Sequence, residues 1–158
     1  LCGAKDPIAV QVGGPSGRMV GPADFDRAIS FDDLSTGGAV TVFGPGRDVL
    51  AIASCYMGFF VHDSCGYCTP CRVGNVLLKE RLDKILDGRG EASDLDYLKE
   101  LGDTVKTTSR YGLGQSSPHP VLTTLEKFRP EYERRLRPSN DGNNPGFDLE
   151  AALAKARS

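Results

Sequence analysis

No charge of either sign dominates this chain. Its 158 residues hold 19 Lys and Arg against 21 Asp and Glu, a formal net charge of −2, so there is no broad field to attract a polyanion and nucleic acid is not an expected partner. Long hydrophobic runs are missing too. The most apolar stretch, around Val49 to Val61, is interrupted by Ser54, Cys55 and Gly58 and is far too short to cross a hydrocarbon layer of about 30 Å. Direct membrane insertion is not expected. The opening residues Leu1-Cys2-Gly3-Ala4-Lys5-Asp6 show no basic segment followed by an apolar one, so no secretory leader is visible, and a cytoplasmic location, soluble or peripheral on a membrane complex, is expected. A nucleotide loop is lacking as well. Gly13-Gly14-Pro15-Ser16-Gly17 is followed by no helical pattern and no Lys-Ser/Thr pair, and reads as a tight turn. Finally, the five cysteines are an odd, clustered set, three of them at Cys65, Cys68 and Cys71. That excludes a secreted disulfide framework and points to thiolate ligands in a reducing compartment.

What the chain does have is enough apolar material, 39% of residues, to bury a core, and its periodicity changes partway along. Residues 1–46 carry β-branched runs, Ile8–Val12 and Ala39–Phe43, bounded by Gly/Pro signals, which predict a small β-rich domain. From Asp48 the pattern turns helical, with Val49, Ile52, Ala53, Tyr56, Met57 and Phe60 on one face. A second helix is expected from about Pro70 to Leu86. A third follows, N-capped by Ser93 and carrying Leu95, Leu98, Leu101 and Val105, and a fourth runs from about Pro118 to Leu136. Together they predict a four-helix bundle over 48–137, and an α+β protein. Residues 138–158 read as a linker with a short C-terminal helix at Leu149 to Ala156.

The run Ser64-Cys65-Gly66-Tyr67-Cys68-Thr69-Pro70-Cys71-Arg72 carries the most chemistry. Two-residue spacers let three thiolates turn around one iron–sulfur cluster a few ångströms across. Tetrahedral zinc instead draws its ligands as separated pairs, and no second pair is present. Thr69 as N-cap and Pro70 at the first helical position would aim the free amides of Cys71 to Asn75 at the cluster, with Arg72 adding positive charge. That setting favours the more negative reduced state. The alternative is that the three cysteines are small buried packing residues.

Extended to Val73-Gly74, the same run resembles the S-C-G-x-C-T-P-C-R-x-G signature of one flavoprotein family. Its members are the NADH-oxidising subunits of complex I, of soluble NAD-reducing hydrogenases and of NAD-dependent formate dehydrogenases. Gly3–Gly17 resembles that family's small β-grasp-like (SLBB) domain, and Gly112-Leu113-Gly114-Gln115 through Pro120-Val121-Leu122 resembles the approach to its last bundle helix. The likeness covers about residues 1–137, and Phe147-Asp148-Leu149-Glu150 in the tail looks more like hydrogenase diaphorase subunits. It implies a bundle holding a [4Fe–4S] cluster on Cys65, Cys68 and Cys71, with FMN and NAD bound in an upstream domain or a partner. The implied partners are the flavin/NADH-binding domain, small ferredoxin-like and iron–sulfur subunits, and hydrogenase or formate dehydrogenase subunits, with Phe59, Tyr67 or Tyr97 as docking aromatics. NADH oxidation by this chain alone is not expected.

The chain departs from the pattern at one ligand. The family places a fourth cysteine about forty residues after the third, where Ser109-Arg110-Tyr111-Gly112 here offers Tyr111. A phenol oxygen suits cluster iron poorly. A labile [4Fe–4S] or a [3Fe–4S] cluster is one consequence, and Tyr111 packing as an apolar cap is another. His62, His119, Cys2 and Cys55 are the other candidates for the fourth ligand, Cys55 being expected to be buried. Beside the electron-relay function stand a cofactor-depleted scaffold and a zinc-stabilised interaction domain on Cys65, Cys68, Cys71 and His62.

Overall fold

In a computed structural model, which describes residues 5–137, a three-stranded sheet precedes a set of helices. Strands β1 (Ala9–Val12), β2 (Arg18–Val20) and β3 (Val40–Phe43) form an antiparallel sheet in the order β2-β1-β3. The five residues Gly13 to Gly17 close the β1–β2 hairpin, where the Gly17 amide donates to the Gly14 carbonyl at 3.0 Å. The turn is as expected. Strand β2 was not legible in the sequence, because three residues are too few to show alternation.

Pairing fixes which side chains share a face. Ala9, Met19 and Phe43 turn toward the helices and pack with Val49, Ile52, Tyr56 and Phe128, whereas Val12 and Val20 pack beneath Leu34 of the connecting loop. The sheet therefore shares part of its core with the helices.

Helix α1 (Val49–Asp63) starts where Asp48 accepts hydrogen bonds from the amides of Leu50 and Ala51, at 3.0 and 3.3 Å. Helix α2 (Thr69–Leu86) packs beside it, and α3 (Ala92–Thr108) packs in turn on α2. Leu50, Met57, Leu78, Leu82, Leu98, Val105 and Val121 form the main core. The expected Ser93 cap of α3 is not used. Glu91 is the N-cap, in a capping box with Asp94, and Ser93 is an exposed residue of the first turn.

Asp94 is 1% exposed. It takes Arg81 at 2.5 Å, Lys84 at 2.9 Å and the Glu91 amide at 2.8 Å. Burial pushes its carboxyl up, but the Lys84 ammonium, the Glu91 amide and the Arg81 guanidinium outweigh this and hold it below the usual range. A carboxyl lowered on folding stabilises the fold fully above its unfolded value of about 3.9, and the contribution disappears as pH falls through the lower folded value. Asp94→Asn should cost about 2 kcal/mol at pH 7. Urea unfolding at a series of pH values checks this: the gap between parent and variant should close below about pH 4. A gap independent of pH would show that charge has no part in it.

The fourth long helix is not continuous. Short α4 (Gly112–Ser116) comes first, then α5 (His119–Lys127), and after Phe128 the chain restarts as α6 (Arg129–Glu133) with Pro130 in its first turn. Pro130 has no amide to continue a helix from α5. The break turns Phe128 onto the sheet, while Tyr132 enters the helical core with its hydroxyl 2.7 Å from Thr124 Oγ1. The expected helix at Leu149 to Ala156 lies outside the described residues, and among those described no helix is long and apolar enough to cross a membrane.

Candidate metal centre

The three clustered cysteines lie where α1 ends and α2 begins. Ser64 closes α1, Gly66 takes φ +72°, and Cys68 is the N-cap of α2, with Pro at the start of the helix. Thr69 is thus the first helical residue, one place later than its expected capping role, and no side chain occupies the cap. Gly66 fits a left-handed position that other residues adopt only at a cost. Arg72 donates from Nη1 to the Gly66 carbonyl at 2.9 Å. Its charge pins the cysteine loop.

Each cysteine has a different setting. Cys65 is exposed, and the Tyr111 hydroxyl, followed by the Tyr67 amide, holds its thiol below the ordinary range. Cys68 is half-buried and is lowered by the amides of Arg110 and Cys71. Cys71 is buried, its Sγ 3.3 Å from Ser64 Oγ and accepting from Asn75 Nδ2 at 3.4 Å. Asn75 is turned that way because its Oδ1 accepts from Ser117 Oγ at 2.7 Å. At Cys65 and Cys68 such donors favour the thiolate.

An open depression of about 450 Å³ is lined by Cys65, Tyr67, Cys68, Arg110 and Tyr111. The Arg110 guanidinium sits 4.6 Å from the Tyr67 ring centre at its rim. Tyr111 is half-exposed, so it is no buried apolar cap. Its phenol is pushed up by its bond to Cys65, by burial and by the negative charge of all three cysteines, which places it at the centre of the group.

The other candidates are elsewhere. His62 is 89% exposed at the end of α1, with Nδ1 2.8 Å from Asp63 Oδ1, and it does not line the depression. This corrects its role as the alternative fourth ligand. His119 bonds the Ser16 carbonyl at 2.8 Å, beside the sheet. Its pKa is lowered by burial, against the Ser16 bond and with Lys106 and Arg18 nearby. Cys55 is exposed on α1, contrary to the buried setting expected for it, and Cys2 lies outside the described residues.

The donor set suits an iron–sulfur cluster better than a single ion. Among the described residues no three His, Cys, Asp or Glu side chains converge as ligands of one metal ion, yet Cys65 and Cys68 line one depression with Tyr111, and Cys71 follows in the first turn of α2. Zinc requires four donors within about 2.3 Å of one point, whereas a cluster presents several irons to spaced thiolates. One buried polar atom is also unspent. Ser109 Oγ, beside Cys71, has no hydrogen-bond partner. The sequence did not single out Ser64, Asn75, Ser109 or Ser117. Only Asn75 left a signal, as a polar residue on the buried stripe of α2 between Cys71 and Leu78.

A small sheet joined to helices, with a three-cysteine loop at a helix start, defines the iron–sulfur-binding part of a redox subunit. Residues 51–135 match the model of the NADH-ubiquinone oxidoreductase-F iron–sulfur binding region, and the chain belongs to that family. It is similar to the alpha subunit of the NAD-reducing hydrogenase HoxS of Cupriavidus necator, at 46% identity over 97% of this chain and 26% of that subunit. It is also similar to the NADP-reducing hydrogenase subunit HndC of Solidesulfovibrio fructosivorans, at 40% over 81% and 27%. A crystal structure of an NAD+-reducing [NiFe]-hydrogenase in the H2-reduced state superposes with a TM-score of 0.82 at 38% identity, covering 96% of this chain and 27% of that one. The chain spans about a quarter of the length of these relatives.

Proposed function

We propose that this chain is the electron-relay module of a larger NADH-linked oxidoreductase, with Cys65, Cys68 and Cys71 as thiolate ligands of a [4Fe–4S] cluster. The observation that carries this is the placing of the three cysteines in one loop and first helical turn, between α1 and α2, in a chain of this family. A bound cluster supplies reversible one-electron storage. The protein's part is to lower the Cys65 thiol, through the Tyr111 hydroxyl and the Tyr67 amide, and the Cys68 thiol, through the Arg110 and Cys71 amides, and to hold Cys71 in place with Ser64 and Asn75. FMN and NAD belong to an upstream domain or a partner subunit, and residues 1–46 we read as the SLBB-type unit that joins it.

The partners are other redox subunits: a flavin/NADH-binding domain, ferredoxin-like and iron–sulfur subunits, and the hydrogenase or formate dehydrogenase to which the whole is coupled. Phe59, 45% exposed, and Tyr67, 70% exposed, are suited to such docking. Tyr97 is less so, because it is half-buried on α3 with Arg81 over its ring.

Tyr111 stands where the family's fourth cysteine would be, and its hydroxyl is a hard donor already bonded to Cys65. One iron is then held by an external ligand or released, giving a labile cluster or a [3Fe–4S] form. Anaerobic reconstitution followed by iron, sulfide and zinc analysis, with visible absorption before and after dithionite, tests this. The parent should show iron, sulfide and a bleachable chromophore, and Tyr111→Cys should raise iron per chain and the chromophore's survival in air. Zinc without sulfide would replace the relay with a zinc-held interaction domain, and no metal at all would leave a scaffold. If the parent holds four irons stably and the variant changes nothing, Tyr111 is not the deficient position.

A further inference from the structure

Ser109 ends α3 as its C-cap, and its backbone is fully engaged: its amide donates to the Val105 carbonyl at 3.1 Å, and its carbonyl accepts from Gln115 Nε2 at 3.2 Å. Its side chain is not. The residue is 5% exposed, yet Oγ has no partner, and among the described residues only Gln11 Oε1 shares that condition. A buried hydroxyl left unpaired is costly and calls for an explanation.

Its surroundings supply one. A Cβ placed on Gly114 would lie 2.6 Å from Ser109 Oγ and 3.1 Å from Cys71 Cβ, so the orphan hydroxyl and Cys71 press on the same glycine. The residues that follow meet the other two cysteines. Arg110 and Tyr111 line the open depression together with Cys65 and Cys68. Ser109-Arg110-Tyr111 thus runs past all three cysteines.

We propose that Ser109 holds its Oγ–H in reserve for a sulfur of the bound iron–sulfur cluster at the Cys71 corner. The inference rests on the cysteine site proposed above. Ser109 is then a positioning residue that tunes the centre. Hydrogen bonds to cluster sulfurs stabilise the more negative reduced state, and they set the potential along with charge and solvent exposure. With Ser64 and Asn75 already on Cys71 Sγ, Ser109 completes a polar wall on the buried side, opposite the open face of Cys65.

The test compares the parent chain with Ser109→Ala and Ser109→Thr after anaerobic reconstitution. Ser109→Ala should leave the melting temperature of the metal-free protein unchanged or raised, because the atom it removes has no protein partner. Loaded with iron and sulfide, it should have a more negative midpoint potential than the parent. It should also lose an exchangeable-proton coupling that electron–nuclear double resonance detects in the reduced parent after H2O/D2O exchange. Ser109→Thr, which keeps the hydroxyl, should restore the coupling. A lower melting temperature for metal-free Ser109→Ala would mean that the hydroxyl serves the protein, and would overturn the proposal. So would an unchanged potential with the coupling still present, as expected if a buried water satisfies Ser109. Parent protein that takes up no iron and sulfide overturns this inference together with the relay function, whereas a loaded parent insensitive to Ser109→Ala overturns this inference alone.

Discussion

Cys68→Ala protein should retain little of the iron and sulfide that the parent takes up, and should lose the thermal stabilisation that comes with them. Cys68 is the N-cap of α2 and lines the open depression beside Arg110 and Tyr111. Removing it takes out the middle ligand of the three while leaving the buried Cys71 in place. A ligand bound only by the folded state adds stability by mass action, about 2.7 kcal/mol at a hundredfold excess over its dissociation constant. In a chain of this size that is roughly 5–10 °C in melting temperature. Without metal, parent and variant should melt within a degree or two of each other, because Cys68 is only half-buried. Cys55→Ala, at an exposed position on α1, is the control and should match the parent in both states. Equal iron content and equal melting temperature in the loaded Cys68 variant would show that this thiol is not a ligand.

Gly74→Val should destabilise the helical core and disrupt the site together. A Cβ on Gly74 would stand 2.2 Å from Val105 Cγ2, and Val105 is a buried β-branched side chain with little rotamer freedom to move aside. Helices α2 and α3 would have to separate, at about 1–3 kcal/mol for overpacking of this kind, with the branched methyls of Val putting it at the upper end. That separation also draws Cys71, one turn away on α2, from the Ser109–Tyr111 segment that follows α3. Loss of iron binding should therefore accompany the loss of stability. Gly58→Ala makes the contrast, since a Cβ there meets only Lys79 Cε at an ordinary 3.6 Å. Replacing a mid-helix glycine by alanine then stabilises by up to about 1 kcal/mol. If Gly74→Val melts like the parent, the close approach of α2 and α3 is not what holds the site.

Gly74 also explains a feature that the sequence presented only as a motif. It ends the S-C-G-x-C-T-P-C-R-x-G pattern because α3 passes over it, and Gly66 stands inside the pattern because the loop needs a positive φ. The cysteine spacing, the first three helices, two of the three strands and the Gly13–Gly17 turn were legible because each depends on neighbours within a few residues. The misread features depend on distant partners. Ser93 has the chemistry of a cap, but Glu91 took the role because Asp94 is buried against Arg81 and Lys84. The 118–136 stretch has helical periodicity throughout, but Phe128 and Tyr132 serve two different clusters and the chain breaks between them. His62 lies three residues before Cys65, which makes it look like a ligand, yet α1 ends with it pointing to solvent.

The sequence by itself determined that three thiols would meet at the start of a helix, because a C-x2-C-x2-C turn is made by consecutive residues whose geometry owes little to the rest of the chain. Only the tertiary structure decided what surrounds those thiols. The end of α3 had to be carried across α2 for Arg110 and Tyr111 to reach Cys68 and Cys65, and for Ser109 to be buried beside Cys71 without a partner. Contacts between residues so far apart in the chain follow from helix packing over Gly74 and Gly114, which no local periodicity encodes.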